Sequence, residues 1–222
     1  MDTLKKTGTI TLLLALIAGY CDTVTFVAAD AIFSAHVTGN FIVFAYQLVK
    51  GSEWQAWIKL LTFPVFILSV IAGGRIGAAP KNRYRLLLFE GLILLLAAVI
   101  AILSTQQNNN WLVYVVAMVV VCAMGLQNAF GKLYAKETHG PTTMMTGNVT
   151  QASLDLGTLF KTGFNHPEAA LSLKKQLYAI LGFLAGCFLG AIAGKLWGLP
   201  VIILPGLLLI YCYITRPLEQ AS

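Results

Sequence analysis

Polar side chains that could bind a solute stand at paired positions in an otherwise apolar chain. Asp22 and Asn128 each follow a glycine by three residues, and the tripeptide Thr-Gly-Asn occurs twice. The candidate binding residues are Asp22, Thr38, Asn40, Asn128, Thr146 and Asn148. An ionisable or polar group inside an apolar run is costly, and it is a functional hypothesis by default. These side chains therefore predict recognition of a polar solute, an ion or a proton.

Catalytic chemistry has no comparable pattern. The sequence lacks HExxH, GxSxG, a P-loop and paired carboxylates at a useful spacing. Each of the four cysteines lies alone in an apolar run, which is typical of small buried side chains. They are Cys21, Cys122, Cys187 and Cys212. We expect no enzyme, no metal and no cofactor.

The composition predicts an integral membrane protein. Hydrophobic residues make up 58% of the 222 residues and charged residues only 11%, against about 25% charged in soluble domains. The mean hydropathy is +0.77. The net charge of +6 needs no nucleic acid to explain it, because Lys and Arg collect on the cytoplasmic side of membrane proteins. The expected partner is the lipid bilayer.

The elements that must position the polar residues are six long apolar segments and two short ones. A span needs about 20 apolar residues, and residues 8–29, 57–77, 86–103, 111–131, 177–194 and 196–214 meet or approach that length. The Thr-Gly-Asn segments, residues 40–50 and 148–160, are too short to cross comfortably. They either cross, giving eight spans, or enter and return, giving six. The first segment is read as a mature helix because its internal counterpart cannot be a signal peptide.

Charge favours six spans. With a cytoplasmic N-terminus, six spans leave only Lys50, Lys59 and Lys195 outside. The other twelve of the fifteen basic residues are then inside: Lys5, Lys6, Arg75, Lys81, Arg83, Arg85, Lys132, Lys136, Lys161, Lys174, Lys175 and Arg216. Eight spans would invert this bias. We therefore predict six spans plus two re-entrant half-helices in a bacterial inner membrane.

An inverted repeat follows from the six-span topology. Three spans in each half make the second half enter from the opposite side. Matching sites recur at offsets that grow slowly, from 106 to 108 to 113 residues, as small insertions would produce. The prediction is one all-α membrane domain over residues 1–222, a polytopic transmembrane helical bundle of two inverted repeats (8–103 and 111–215).

Thr-Gly-Asn suits a broken helix, because Thr or Asn can cap a helix start and Gly permits unusual backbone angles. Two interpretations stay open: the motifs line a solute pathway near the midplane, where the two copies meet, or they only cap and pack short helices. Asp22 either binds a cation or proton or caps the first break.

Three further patterns have predicted roles. Glu90 is expected to pair with Arg83 or Arg85 at the interface. Asp155 continues a polar stripe with Asn148 and Gln151, which faces a water path or the cytoplasmic interface. The glycines at four-residue spacing predict close helix packing: Gly73, Gly77, Gly186, Gly190 and Gly194.

The chain resembles the YoaK family of bacterial membrane proteins. The resemblance covers nearly the whole chain and rests on Gly19-x-x-Asp22, His36-Val37-Thr38-Gly39-Asn40, Gly125-Leu126-Gln127-Asn128 and Met145-Thr146-Gly147-Asn148, with Glu90 opening the third span. It implies a multi-spanning inner-membrane protein, often described as permease-like, without an established substrate. It assigns no functional residues.

The function predicted is a small-solute transporter or channel-like permease, with an unidentified small solute as its ligand. The alternative is a non-transporting membrane scaffold or accessory subunit. A homo-oligomer is compatible with either.

Overall fold

The computed structural model describes residues 2–51, 53–78, 84–107 and 110–215, and this part of the chain is all-helical. The prediction of an all-α fold is confirmed. The elements, in order, are α1 (Asp2–Ala28), α2 (Gly39–Val49), α3 (Glu53–Gly77), α4 (Arg85–Gln107), α5 (Asn110–Leu133), α6 (Thr146–Lys161), α7 (Pro167–Trp197), a 3-10 turn (Leu199–Ile202) and α8 (Ile203–Thr215).

Five of these helices, α1, α3, α4, α5 and α7, are long and apolar enough to cross a membrane. The last segment, Leu199–Thr215, is shorter, because Gly198 and Pro200 interrupt the chain before α8 begins. Large apolar side chains such as Leu68, Leu96 and Phe188 are exposed on the outside of the bundle. Lipid is the solvent that suits such a surface, so the protein is a membrane protein.

Helices α1 and α7 run parallel and in close contact. Carbonyl oxygens of α1 meet successive glycines of α7: Leu12 meets Gly182, Leu16 meets Gly186 and Tyr20 meets Gly190. A Cβ atom on Gly182 would lie 2.5 Å from the Leu12 oxygen, which no side chain tolerates. The small-residue spacing therefore lets two backbones touch, as predicted from the sequence.

Helices α3 and α5 are a second parallel pair. A Cβ atom on Gly73 would lie 2.6 Å from the Ala129 Cβ, and one on Gly77 would lie 2.5 Å from a Leu133 methyl. Helix α4 then packs antiparallel to α5, and α8 packs on α4 where Gly91 meets Gly206. The two parallel pairs form the frame that holds the polar segments.

The two ends of the bundle differ in composition. At the aromatic end, where α1 and α7 finish and α3 and α5 begin, Trp54 lies 6.4 Å from Trp111 and 5.5 Å from Tyr114, ring centre to ring centre. At the basic end, where α1, α4 and α7 begin, the described cations are Arg75, Arg85, Lys132, Lys136, Lys161, Lys174 and Lys175. Lys81, Arg83, Arg216 and the side chains of Lys5 and Lys6 lie outside the described part.

Candidate functional site

Asp22 of α1 anchors the loop that follows its own helix. Its Oδ1 accepts hydrogen bonds from the backbone N–H groups of Ala35, at 2.8 Å, and His36, at 3.2 Å. Asp22 is buried and lies six residues before the end of α1. Residues 29–38 therefore return about 9 Å along the helix axis, at 1.5 Å per residue.

Asn40 joins that loop to two helices. Its Nδ2 donates to the Phe33 carbonyl at 2.8 Å and to Thr62 Oγ1 at 3.0 Å. The Phe33 N–H donates back to Asn40 Oδ1 at 2.9 Å. The amide is fully buried, and three of its hydrogen-bonding positions are filled by the protein.

Helix α2 then runs back to the aromatic end. Its residue Gln47 donates to Asp30 Oδ1 at 3.3 Å, and Asp30 lies just beyond the end of α1. The buried Lys59 of α3 forms an ion pair with Asp30 Oδ2 at 2.6 Å, and Tyr114 of α5 donates to the same oxygen at 3.4 Å. The loop 29–38 and α2, which we call the first hairpin, thus enter and leave at the aromatic end.

The loop after α5 is held in the same manner at the basic end. Thr143 Oγ1 donates to Asn128 Oδ1 at 2.7 Å. Gln127, the residue before Asn128, donates from Nε2 to Thr142 Oγ1 at 2.9 Å and to the Leu14 carbonyl of α1 at 2.8 Å. Residues 134–145 therefore turn back into the bundle before α6 begins. These residues and α6 form the second hairpin.

Asn148 secures the second hairpin as Asn40 secures the first. Its Nδ2 donates to the Pro141 carbonyl at 2.9 Å, so each asparagine binds the residue seven positions before it. Proline has no N–H, so the return bond from Phe33 to Asn40 has no equivalent from Pro141. The asparagine of each Thr-Gly-Asn copy positions a loop.

The threonines do not cap their helices through their side chains. Thr38 is the residue before α2 and makes no side-chain cap bond. Helix α6 begins at Thr146, after Met145, which also makes none. Thr38 and Thr146 are exposed. The cap expected from Thr or Asn is thus absent from both described helix starts.

The two Thr-Gly-Asn copies do not meet. Helix α2 packs on α3 and α6 packs on α7, and in the described part of the chain α2 and α6 are not packed against each other. Asp22 accompanies the first hairpin and Asn128 the second, as expected. The predicted meeting point is wrong, because α2 lies on the α3–α5 pair at the aromatic end and α6 lies on the α1–α7 pair at the basic end.

A polar cleft reaches into the bundle beside the second hairpin. It has a volume of about 160 Å³ and opens at the basic end. Its walls are Gln127, Asn128, Gly131, Lys132, Ala135, Gly140, Pro141, Thr142 and Thr143. A wider mouth of about 460 Å³ adjoins it at Ala135 and Gly140 and is lined by Lys136, His139 and Lys175. Asn128 lines the cleft, and Asn148 holds the loop that forms its wall.

Two other acidic residues have surroundings that differ from the predictions or refine them. Glu90 is fully buried, and neither carboxylate oxygen has a partner within the described residues, whereas Arg85 is exposed. The predicted interfacial pair with Arg85 is therefore wrong, and Arg83 lies outside the described part. Asp155 is buried and accepts from Gln151 Nε2 at 2.9 Å, so Asn148 and Asp155 of this stripe face protein while Gln151 is exposed.

Sequence reasoning missed Gln127 and the contact between Asp30 and Lys59. Gln127 adjoins Asn128 and is itself an uncharged polar residue within an apolar run. That position alone indicates a buried polar contact. The charge count predicts only that Lys59 lies outside. A lysine two residues beyond an interfacial Trp57 in a predicted span should have called for a carboxylate partner.

The comparison with known families matches residues 10–215 to the family described as "protein of unknown function (DUF1275)". The chain belongs to this family. The match covers all the residues that carry the resemblance stated above and is consistent with it. No curated protein and no solved structure matches the chain.

Proposed function

We propose that this member of the family is a small-solute permease of the bacterial inner membrane, with six crossing segments and two re-entrant hairpins. Re-entrant segments are tolerated in a membrane only where protein or a water-filled cavity satisfies their backbone. Asp22 satisfies two backbone N–H groups of the first loop. Gln127 and Asn128 bind two threonines of the second.

An inverted repeat accounts for the arrangement of both hairpins. If α1, α2, α3 and α4 correspond to α5, α6, α7 and α8, the pair α1–α7 corresponds to the pair α5–α3. In the same way the contact α2–α3 corresponds to the contact α6–α7. The hairpins then enter from opposite ends. Many secondary transporters are built from such repeats with broken helices.

The basic end is assigned to the cytoplasm. Most of the described Lys and Arg residues lie there, while Lys50 and Lys195 lie at the aromatic end. The positive-inside bias then puts the N-terminus in the cytoplasm, and the first hairpin enters from outside.

The observation that carries the proposal is the polar cleft at the second hairpin. A cavity of about 160 Å³ lined by Gln127, Asn128, Thr142 and Thr143 is expected in a protein that admits a polar solute. A scaffold has no need for a cavity among these amides and hydroxyls.

Stopped-flow light scattering on reconstituted liposomes tests the proposal without knowledge of the substrate. Liposomes shrink in a hyperosmotic solute and swell again as it enters; we expect faster re-swelling than in empty liposomes for at least one class of small polar solute. Gly131→Leu should bring re-swelling back to the empty-liposome rate. Gly131 lines the cleft, and a Cβ there meets nothing within 4 Å, so we expect the larger side chain to extend into the cleft.

Gly157→Leu is the matched control. Gly157 is also helical and also has open space around its Cβ position, but it lies on α6 away from the cleft. It should leave re-swelling unchanged. Equal rates for the wild-type protein, Gly131→Leu and empty liposomes across neutral, anionic and cationic solutes would exclude a permease.

A non-transporting scaffold is the second candidate, and the first hairpin favours it. Asp22 and Asn40 are buried and bonded to the protein. If the protein is a scaffold, the Gly131→Leu protein should fold normally and no solute should cross faster than in empty liposomes.

A further inference from the structure

Three lysines converge on the cleft and its mouth from separate parts of the chain. Lys132 comes from the end of α5, Lys136 from the following loop and Lys175 from α7. The residues that line the two cavities include no Asp or Glu. In the described part of the chain no carboxylate forms an ion pair with these lysines, since the only pair there joins Lys59 and Asp30.

Topology alone does not require this convergence. The positive-inside bias asks only that a lysine be on the cytoplasmic side, and Lys174 meets that need without lining either cavity. Lysines around a concave site with low-dielectric walls concentrate anions there. The charge of the mouth therefore favours negatively charged solutes.

The inner end of the cleft supplies a different recognition element. Leu14 offers Gln127 a carbonyl, which can only accept, so the amide nitrogen must face it. The other amide atom, Oε1, is buried and has no donor within the described residues. Gln127 lines the cleft but is closed to solvent in this structure, so a ligand with an O–H or N–H group would satisfy this acceptor once the inner wall of the cleft moves aside.

Thr142 adds a donor beside that acceptor. Its Oγ1 accepts from Gln127 Nε2 at 2.9 Å, and no acceptor for its own hydroxyl proton is found in the described part of the structure. The cleft thus combines cations at its mouth with an acceptor and a donor at its inner end.

Resting on the proposed permease function, we propose that the cleft binds a small organic anion that carries a hydroxyl or amine donor. The anionic group faces the three lysines, and the donor reaches Gln127 Oε1. The volume of about 160 Å³ exceeds the roughly 10–15 Å³ that a cavity needs to hold a single water, so the cleft suits a small solute of three or four carbons.

Four three-carbon solutes separate the contributions of charge and donor. Glycerate has both, propionate lacks the hydroxyls, glycerol lacks the charge and 3-amino-1,2-propanediol reverses it. Calorimetric titration of the full chain in detergent should give glycerate at least about tenfold tighter binding than each of the other three, because an unpaired buried acceptor or a lost charge weakens the complex. Added KCl should weaken glycerate binding through screening.

The double variant Lys136→Gln/Lys175→Gln should weaken glycerate binding about tenfold, and Thr142→Val should weaken it several-fold. Lys174→Gln is the matched control, since Lys174 adjoins Lys175 but lies outside both cavities, and its affinity should equal that of the wild type. Variants that elute as the wild type on size exclusion are compared.

The outcomes distinguish this inference from the permease proposal. Glycerate that binds but does not enter liposomes, as its potassium salt with valinomycin, keeps the anion site and contradicts transport. Entry of glycerol or the amine without glycerate binding keeps transport and overturns the anion site. Equal affinity for glycerate and propionate, or an equal loss in Lys174→Gln, also overturns it.

Discussion

Gly186→Ala is expected to prevent the stable packing of α1 on α7. The added Cβ would collide with the Leu16 carbonyl oxygen and come within 2.9 Å of the Tyr20 nitrogen. Backbone atoms on both helices cannot move aside as a flexible side chain can. Overpacking typically costs about 1–3 kcal/mol of stability, and we expect a larger loss here. It should appear as aggregation on size-exclusion chromatography and as a fall of the unfolding midpoint by many degrees.

Gly74→Ala is the control for Gly186→Ala. Gly74 lies inside α3, and its Cβ position has nothing within 4 Å. Alanine is favoured over glycine in a helix by roughly 0.5–1 kcal/mol, so this variant should match or exceed the wild-type midpoint. If Gly186→Ala and Gly74→Ala have the same unfolding midpoint, α1 and α7 do not touch through their backbones.

Glu90→Met is expected to make the protein more stable. Glu90 is fully buried on α4, both carboxylate oxygens lack partners in the described part, and the neighbouring Gly91 packs on α8. Leaving a buried polar group unsatisfied costs about 1–3 kcal/mol. Methionine has a similar length and adapts to irregular space, so the unfolding midpoint in detergent should rise by several degrees.

Glu90→Ala separates removal of the carboxyl group from loss of packing. It also removes the polar oxygens, but it leaves a cavity that costs stability, so its midpoint should lie below that of Glu90→Met. A Glu90→Met protein that is clearly less stable than the wild type would show that the Glu90 carboxylate has a hydrogen-bonding partner in the protein.

Much of the architecture could be predicted from residue patterns because membrane helices obey length and charge rules. The short segments were recognised close to their observed bounds, Gly39–Val49 and Thr146–Lys161. The glycine spacing of α7 predicted close packing because small residues are the general means of bringing membrane helices together. The pairing of Asp22 and Asn128 with their hairpins followed from their matching positions.

Other features depend on tertiary contacts that local spacing does not encode. The sequence pointed to both Thr-Gly-Asn copies as a joint site, but each asparagine binds its own loop and the copies lie apart. The nearness of Arg85 to Glu90 along the chain predicted a pair, but Glu90 faces the interior and Arg85 is exposed. The cleft itself depends on the course of residues 134–145, which no periodicity specifies.

We propose that the two hairpins enter the membrane from opposite sides. Cysteine labelling tests it most directly, with Lys50→Cys at the end of the first hairpin and Asn165→Cys after the second, each in a chain whose four natural cysteines are replaced. Both positions are exposed. A membrane-impermeant maleimide should label position 50 in intact spheroplasts and position 165 only after permeabilisation. Labelling of both positions from the same side would mean that a short helix crosses the membrane, and it would contradict entry of the two hairpins from opposite sides.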